Sequence, residues 1–202
     1  MYLFEENGME IPVICNDKIK SVKINAEWDL FEVEANPSIP TQKIMDFINS
    51  KKGWMELHIK KNKSFIDYFN GQINTGEYVL QNNSKELLRK KVNDSVSKYE
   101  DLRGKPHQIY IRQQLNRAWA SCTTKRNITF NYIVGFLPNH LIDYVTYHEL
   151  CHLTEMKHNS KFYSLIKEEF PQHEREDNEL NIYHYRICHK LHDDKLKLIK
   201  GT

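Results

Sequence analysis

His148-Glu149-Leu150-Cys151-His152-Leu153-Thr154-Glu155-Met156-Lys157-His158 is the stretch around which this 202-residue chain is organised. On a helix, residues i and i+4 lie on one face, about 5.4 Å apart along the axis. His148 and His152 therefore present two imidazoles to one point, and a metal ion held there takes its nitrogens at roughly 2.0–2.1 Å. Glu149 follows the first histidine and projects beside that point rather than onto it. A carboxylate so placed can take a proton from a metal-activated water.

His148 to His152 is the H-E-x-x-H pattern of zinc metallopeptidases. A catalytic zinc usually has three protein ligands and an open position. His158 is the best third candidate. On an unbroken helix it would lie about 9 Å beyond His152 and off the ligand face. The helix must then end between the two, and Asn159-Ser160 reads as a break followed by a new cap. Glu155, Glu168 and Glu169 are the alternative third ligands. The spacing matches H-E-x-x-H-x-x-G-x-x-H, but Glu155 stands in the place of the turn glycine, which argues against a true metzincin. H-E-x-x-H also arises by chance in helices. Here an apolar helical pattern, a third histidine and an upstream strand and hairpin favour a metal site.

A chain of this length can build one domain with a real core, or a core domain with a small lobe. Apolar content is an ordinary 40%, with generous aromatics, so disorder is not expected. The formal net charge of +2 gives no strong nucleic-acid footprint. Lys60-Lys61-Asn62-Lys63 and Arg89-Lys90-Lys91 read as solvated helix faces. Cys15, Cys122, Cys151 and Cys188 form no C-x-x-C pair and no disulfide spacing, so reduced thiols are expected. Met1-Tyr2-Leu3-Phe4 runs straight into Glu5-Glu6, which is not a signal peptide. No apolar run approaches the ~18 residues of a membrane span. The expectation is a soluble cytoplasmic protein.

Residues 9–35 read as strands in a meander or hairpin: Ile11 to Cys15, Lys18 to Ile24, and the alternating Leu30 to Ala35. Thr41 opens a helix carrying Ile44, Met45, Phe47 and Ile48, closed by Lys51-Lys52-Gly53. A second helix is expected over Trp54 to Lys61, with Trp54 as a core anchor. Residues 62–82 are punctuated by Gly71, Gly76 and several Asn, with a possible strand at Glu77 to Leu80. Asn83-Ser84-Lys85-Glu86 caps a long helix over roughly 84–101, ended by Gly104-Lys105-Pro106. His107 to Arg112 is a strand. Thr123 to Asn127 is a turn that pairs the Trp119–Cys122 segment with Ile128 to Asn131.

Pro138 starts the motif helix, and Leu141, Val145, His148, Glu149 and His152 share one broad face. Ser160 caps the next helix, which holds Phe162, Tyr163, Leu165 and Ile166 and stops at Pro171. The last helix runs from about Asn178 to Lys200. In it His184, Cys188 and His192 recur at i, i+4 and i+8. About 12 Å of helix separates the ends, so these three cannot share one ion, and packing or a polar face is expected.

These residues resemble the YgjP-like metallopeptidases, related to the SprT-like and WLM-type proteins of the wider zincin group. The resemblance is carried by Ile111-Arg112, by Trp119-Ala120-Ser121-Cys122 against an R-W-G-S-C signature, and by Ile128 to Asn131 and Pro138. It continues through Asp143 to Leu153 and His158-Asn159-Ser160 with Phe162-Tyr163. Three positions depart from the pattern. Ala118 stands in place of an arginine, Ala120 in place of glycine, and Tyr163 in place of tryptophan. The resemblance implies a zincin-like α+β fold. The expected division is an N-terminal β-meander and helix lobe over 1–82 and a zincin-like core over 83–202, the two forming one continuous compact unit. The resemblance implies His148, His152 and His158 as ligands of one zinc ion and Glu149 as the catalytic acid/base. It also places Trp119 and Ser121 on a strand edging the cleft, where an extended peptide can add as a further strand.

Two functions follow. One is a zinc-dependent peptidase acting on peptide or protein substrates, with Glu149 as general base and Arg117, Tyr147 or Tyr163 as oxyanion donor. The other is a metal-stabilised protein- or DNA-binding module without turnover, its site closed by a fourth ligand. Cys151 sits about 100° round from its neighbours and faces away from the ion, which leaves Cys122 for that role. Cleavage of proteins held on DNA, as the SprT-like likeness suggests, finds little support in the modest charge.

Overall fold

The computed structural model describes residues 1–6, 8–113 and 118–201. The fold is α+β. Its contacts divide the chain into two units: Met1–Tyr78 with His184–Thr202, and Val79–Tyr183. The sequence places the division at 82/83 and the whole last helix with the second part. In the structure that helix is shared between the units.

The first unit opens with strands β1 (Tyr2–Glu6), β2 (Met9–Cys15), β3 (Val22–Glu27) and β4 (Leu30–Ala35). Sequence reading does not mark β1 as a strand. The sheet order is β1-β2-β4-β3. Two antiparallel hairpins are joined by a parallel β2–β4 pair, so the strands are not laid down in simple succession. In β4 Phe31, Val33 and Ala35 are buried, with the period of two that puts alternate side chains on one face. Helix α1 (Thr41–Ser50) adds Ile44 and Ile48, one turn apart, to the core made by that sheet and Met55.

Helix α2 runs over Lys52–Asn74, far past the expected end at Lys61. Burial of Ile66 and Phe69 carries it through Gly71, whose cost inside a helix is only about 1 kcal/mol. No strand forms at Glu77 to Leu80. Trp54 is exposed rather than a core anchor, with its ring 6.0 Å from Phe31.

The second unit contains α3 (Lys85–Arg103), β5 (Gln108–Arg112), β6 (Ala120–Cys122) and β7 (Asn127–Asn131). A 3-10 turn (Tyr132–Phe136), α4 (Asn139–Cys151) and α5 (Ser160–Glu169) follow. Helix α6 (His173–Lys200) begins here and ends in the first unit. Ser84 caps α3, its hydroxyl accepting from Leu87 N at 3.1 Å. Neighbouring Asn83 instead donates to Tyr132 O at 2.9 Å and lies over Gly135, where a Cβ would meet its Oδ1 at 1.9 Å. Leu88, Val92, Val96 and Tyr99 are the buried stripe of α3, which packs on α4. The sheet order β5-β7-β6 makes β6 an edge strand, and α4 lies against it. No helix among the described residues is long and apolar enough to cross a membrane.

Candidate metal centre

Pro138 occupies the N-cap of α4, and Leu141 and Ile142 both donate to its carbonyl at 3.1 Å. The helix is buried along nearly its whole length, which gives its last turn a rigid seat. It ends at Cys151, with His152 at the C-cap. Leu153 N then bonds Leu150 O, and Thr154 N and Glu155 N both bond Cys151 O, each at 3.0 Å, closing the last turn and reversing the chain. Asn159, not Ser160, caps α5, its Oδ1 accepting from Phe162 N at 3.0 Å.

The reversal brings His148, His152 and His158 together, with one ring nitrogen from each within 4.8 Å of the others. Nε2 of His148 and Nε2 of His158 are 3.0 Å apart. Phe162 lies fully buried against all three rings, at centroid distances of 4.9 Å to His148, 4.5 Å to His152 and 4.7 Å to His158. Sequence reading treats Phe162 as a core stripe residue. Its place four residues after His158, one turn into the capped helix, is the signal that it also floors the cluster.

Burial, with the nearby imidazoles of His152, His158 and His173, pushes the His148 pKa down to about 3. Burial lowers that of His152 as well. Nδ1–H of His152 donates to Glu155 O at 3.0 Å, because a carbonyl can only accept. In the neutral ring this fixes the tautomer and leaves the lone pair on Nε2. Glu149 is only 5% exposed, and its Oε2 has no hydrogen-bond partner among the described residues. Burial alone pushes its pKa up to about 8. Three converging imidazoles, with protonation of His148 and His152 disfavoured by burial, fit a borderline divalent cation such as zinc.

The alternative ligands are engaged elsewhere. Glu155 Oε1 accepts from Lys157 N at 3.2 Å, and its carboxylate lies 3.8 Å from Lys161. Glu168 pairs with Arg103 at 2.6 Å, and Glu169 stands 4.0 Å from Lys98. Cys151 is buried, with its pKa pushed up to about 11 by burial and tempered by the Arg103 guanidinium it faces. Cys122 is half-buried, and burial with the nearby Glu149 charge also pushes its thiol to about 11. Among the described residues, neither thiol joins the three-histidine group.

Of the oxyanion candidates, Tyr147 is fully buried. Its hydroxyl donates to Leu165 O at 3.0 Å and receives from Arg103 at 2.6 Å, so it is not directed at the cluster. Tyr163 is exposed, its ring 6.4 Å from that of His158. Arg117 lies outside the described residues. Ser121 is exposed on edge strand β6, opposite Thr129 of β7. Trp119 precedes that strand, its carbonyl accepting from Asn131 N at 2.8 Å. Sequence reading misses Arg103, whose guanidinium ties α3 to Tyr147 on α4 and to Leu165 and Glu168 on α5.

Among solved structures, the metallopeptidase zymogen of Pyrococcus abyssi abylysin is similar over 50% of this chain and 95% of its own, at 25% identity and a TM-score of 0.39. The metallopeptidase zymogen of Methanocaldococcus jannaschii jannalysin is similar over 52% of this chain and 96% of its own, at 23% identity and a TM-score of 0.37. No curated protein matches the chain significantly. The model of the YgjP-like metallopeptidase domain matches residues 59–183, more than half of the chain and all of the histidine cluster, and the chain belongs to that family.

Proposed function

We propose that this protein hydrolyses peptide bonds, using one zinc ion held by His148, His152 and His158 and Glu149 as general base. The observation that carries this reading is the buried carboxylate of Glu149, which follows His148 directly on α4 and is not one of the three donors. When bound, a divalent cation supplies Lewis acidity, polarising a carbonyl and acidifying water. Glu149 takes the proton of the attacking water on a carboxylate oxygen and delivers it to the leaving amine nitrogen. A cation nearby favours the ionised carboxylate and so draws its pKa down from about 8 toward the working range. Edge strand β6 offers the backbone groups opposite β7 to an extended substrate, with Trp119 and Ser121 beside it. A closed structural site would need a fourth protein ligand, and among the described residues the group has three.

Metal analysis of the purified protein, paired with peptide-library cleavage by parent and Glu149→Gln, tests the reading. The variant is expected to keep its metal and lose about 10²–10⁴-fold in turnover. Undiminished cleavage by Glu149→Gln overturns the base assignment. A metal-loaded parent that cleaves nothing favours the binding-module reading.

A further inference from the structure

We propose that the protein has a second metal site, formed by Glu27, His184 and Cys188 in the first unit. It uses none of the residues of the histidine cluster and stands independently of the reading given to that cluster. One donor atom from each of the three residues lies within 4.8 Å of the other two. His184 and Cys188 are one turn apart on α6, and Glu27 is the last residue of β3. The third donor therefore comes from a hairpin rather than from His192, which the helix carries too far away.

Glu27 Oε1 stands 3.8 Å from His184 Nδ1, and Cys188 Sγ stands 3.9 Å from either nitrogen of the same ring. A normal N–H···O bond spans roughly 2.7–3.2 Å, so the Glu27–His184 spacing is wider than a hydrogen bond. Bonds of 2.0–2.3 Å at tetrahedral angles place donors about 3.3–3.8 Å apart. The Glu27–Cys188 pair lies within 4.8 Å, so closing the three around an ion takes shifts of up to about 1 Å.

The hairpin is held in place from both sides. Trp28, directly after Glu27, has φ 59°, a left-handed conformation that a bulky side chain adopts only when its surroundings enforce it. Its indole lies edge-on to Phe69 at 5.0 Å, to Tyr185 at 6.1 Å and to the His184 ring itself at 6.5 Å. Asp29 then accepts from His189 at 2.9 Å and from Tyr185 at 3.4 Å. Glu27 is thus delivered to α6 by a turn fixed on that helix. The side chains of His184 and Glu27 are 12% and 27% exposed, which shields the site and leaves it a path to solvent.

The donors set the class of ion. Imidazole and thiolate with one carboxylate suit zinc and its first-row neighbours, whereas calcium and magnesium take all-oxygen sets. Binding requires the Cys188 thiolate, so the thiol proton passes to solvent as the ion enters. Remaining coordination positions fall to water.

Cobalt(II) titration of the metal-free full-length protein tests the site. A sulfur-to-cobalt charge-transfer band in the near ultraviolet requires a thiolate ligand, and three imidazoles cannot produce it. The parent is expected to bind two equivalents and show the band. Cys188→Ser should bind one equivalent without it, and Cys122→Ser should match the parent. Glu27→Gln keeps the thiol and should retain the band with at least about tenfold weaker affinity, through loss of a ligand charge. Alkylation of the parent, read by mass spectrometry, adds a readout that needs no variant, with bound metal expected to slow modification of Cys188. The proposal is overturned if the parent shows no band at two equivalents. It is equally overturned if the band survives Cys188→Ser, or if metal leaves the alkylation rate of Cys188 unchanged.

Discussion

The two donor clusters are built in opposite ways. The three imidazoles of the first come from residues 148–158, from one helix end and the turn that follows it. The donors of the second come from β3 and α6, at opposite ends of the chain. Their carboxylates also differ. Glu149 is not a member of its donor group and is buried, with one oxygen unsatisfied among the described residues. Glu27 is a member of its group. A carboxylate outside the coordination shell is available to move protons, and one inside it is committed to neutralising the ion. On this difference the first cluster is suited to chemistry and the second to holding an ion against the fold.

Phe162→Ala should have the largest effect on stability and should break the two clusters apart. Emptying a fully buried aromatic position costs about 3–5 kcal/mol, and here it also removes the floor under three histidine rings. Denaturant titration should show the loss, and zinc affinity at the first cluster should fall with it. The Cys188-dependent cobalt band should persist. Equal damage to both would mean that the clusters are not separately supported.

The same contrast appears in pH. In the metal-free protein His148 has a depressed pKa, so the unfolded chain binds the extra proton and stability falls as pH drops from about 6.5 toward 3. Glu149 has a raised pKa, so the folded chain binds the extra proton and stability falls as pH rises from 4.5 through about 8. An ion at the first cluster favours ionised Glu149, whereas His148 is neutral at pH 5 and above with or without it. The gain in melting temperature on adding zinc should therefore widen between pH 5 and pH 8, by several degrees. Glu149→Gln should remove the alkaline loss from the metal-free protein. A zinc-dependent gain that shrinks over this range would contradict the assignment of Glu149.

What the sequence shows of each cluster follows from the same difference. The end of α4 is legible because six residues of unbroken helix cannot return His158 to the face of His152. The β6–β7 hairpin is legible from the turn residues between its strands. The Glu27 cluster is not legible, because nothing local marks Glu27 as a neighbour of α6. Periodicity exposes only His184, Cys188 and a misleading His192. The length of α2 is hidden for a related reason. Gly71 and the asparagines around it signal a break, and only the burial of Ile66 and Phe69 overrides them. Tyr147 looks like an oxyanion donor by adjacency to His148, whereas one step of 100° turns it toward Arg103 and Leu165.

Arg103→Met sharpens the account of the first cluster from outside it. The guanidinium bonds the Tyr147 hydroxyl, the Leu165 carbonyl and the Glu168 carboxylate, and so braces α5 against α4. A charged hydrogen-bond network of this kind contributes about 2 kcal/mol, and methionine keeps much of the volume. Thermal melts should show that loss, with a smaller fall in zinc affinity as the turn carrying His158 loosens. Unchanged stability would mean that α5 is held by Phe162 and its neighbours alone.

Asp29→Asn makes the smallest change and addresses the second cluster. Burial works against ionisation of Asp29, but the hydrogen bond and charge of His189, with the bond from Tyr185, outweigh it and hold the carboxyl below its ordinary value. A depressed carboxyl pKa contributes stability that is present above the unfolded value and lost as pH falls through the folded one. Asparagine keeps the shape and removes the charge, at a cost of about 1 kcal/mol near neutrality. The difference between parent and variant should fade as the medium becomes acid enough to protonate Asp29 in the parent. Because this residue ties the Trp28 turn to α6, cobalt should bind the thiolate site several-fold more weakly in the variant, while the histidine cluster keeps its affinity. A stability cost that persisted after protonation of the parent would show that the turn depends on the shape of Asp29 and not on its charge. The second cluster would then be held by the indole of Trp28 rather than by the ion pair.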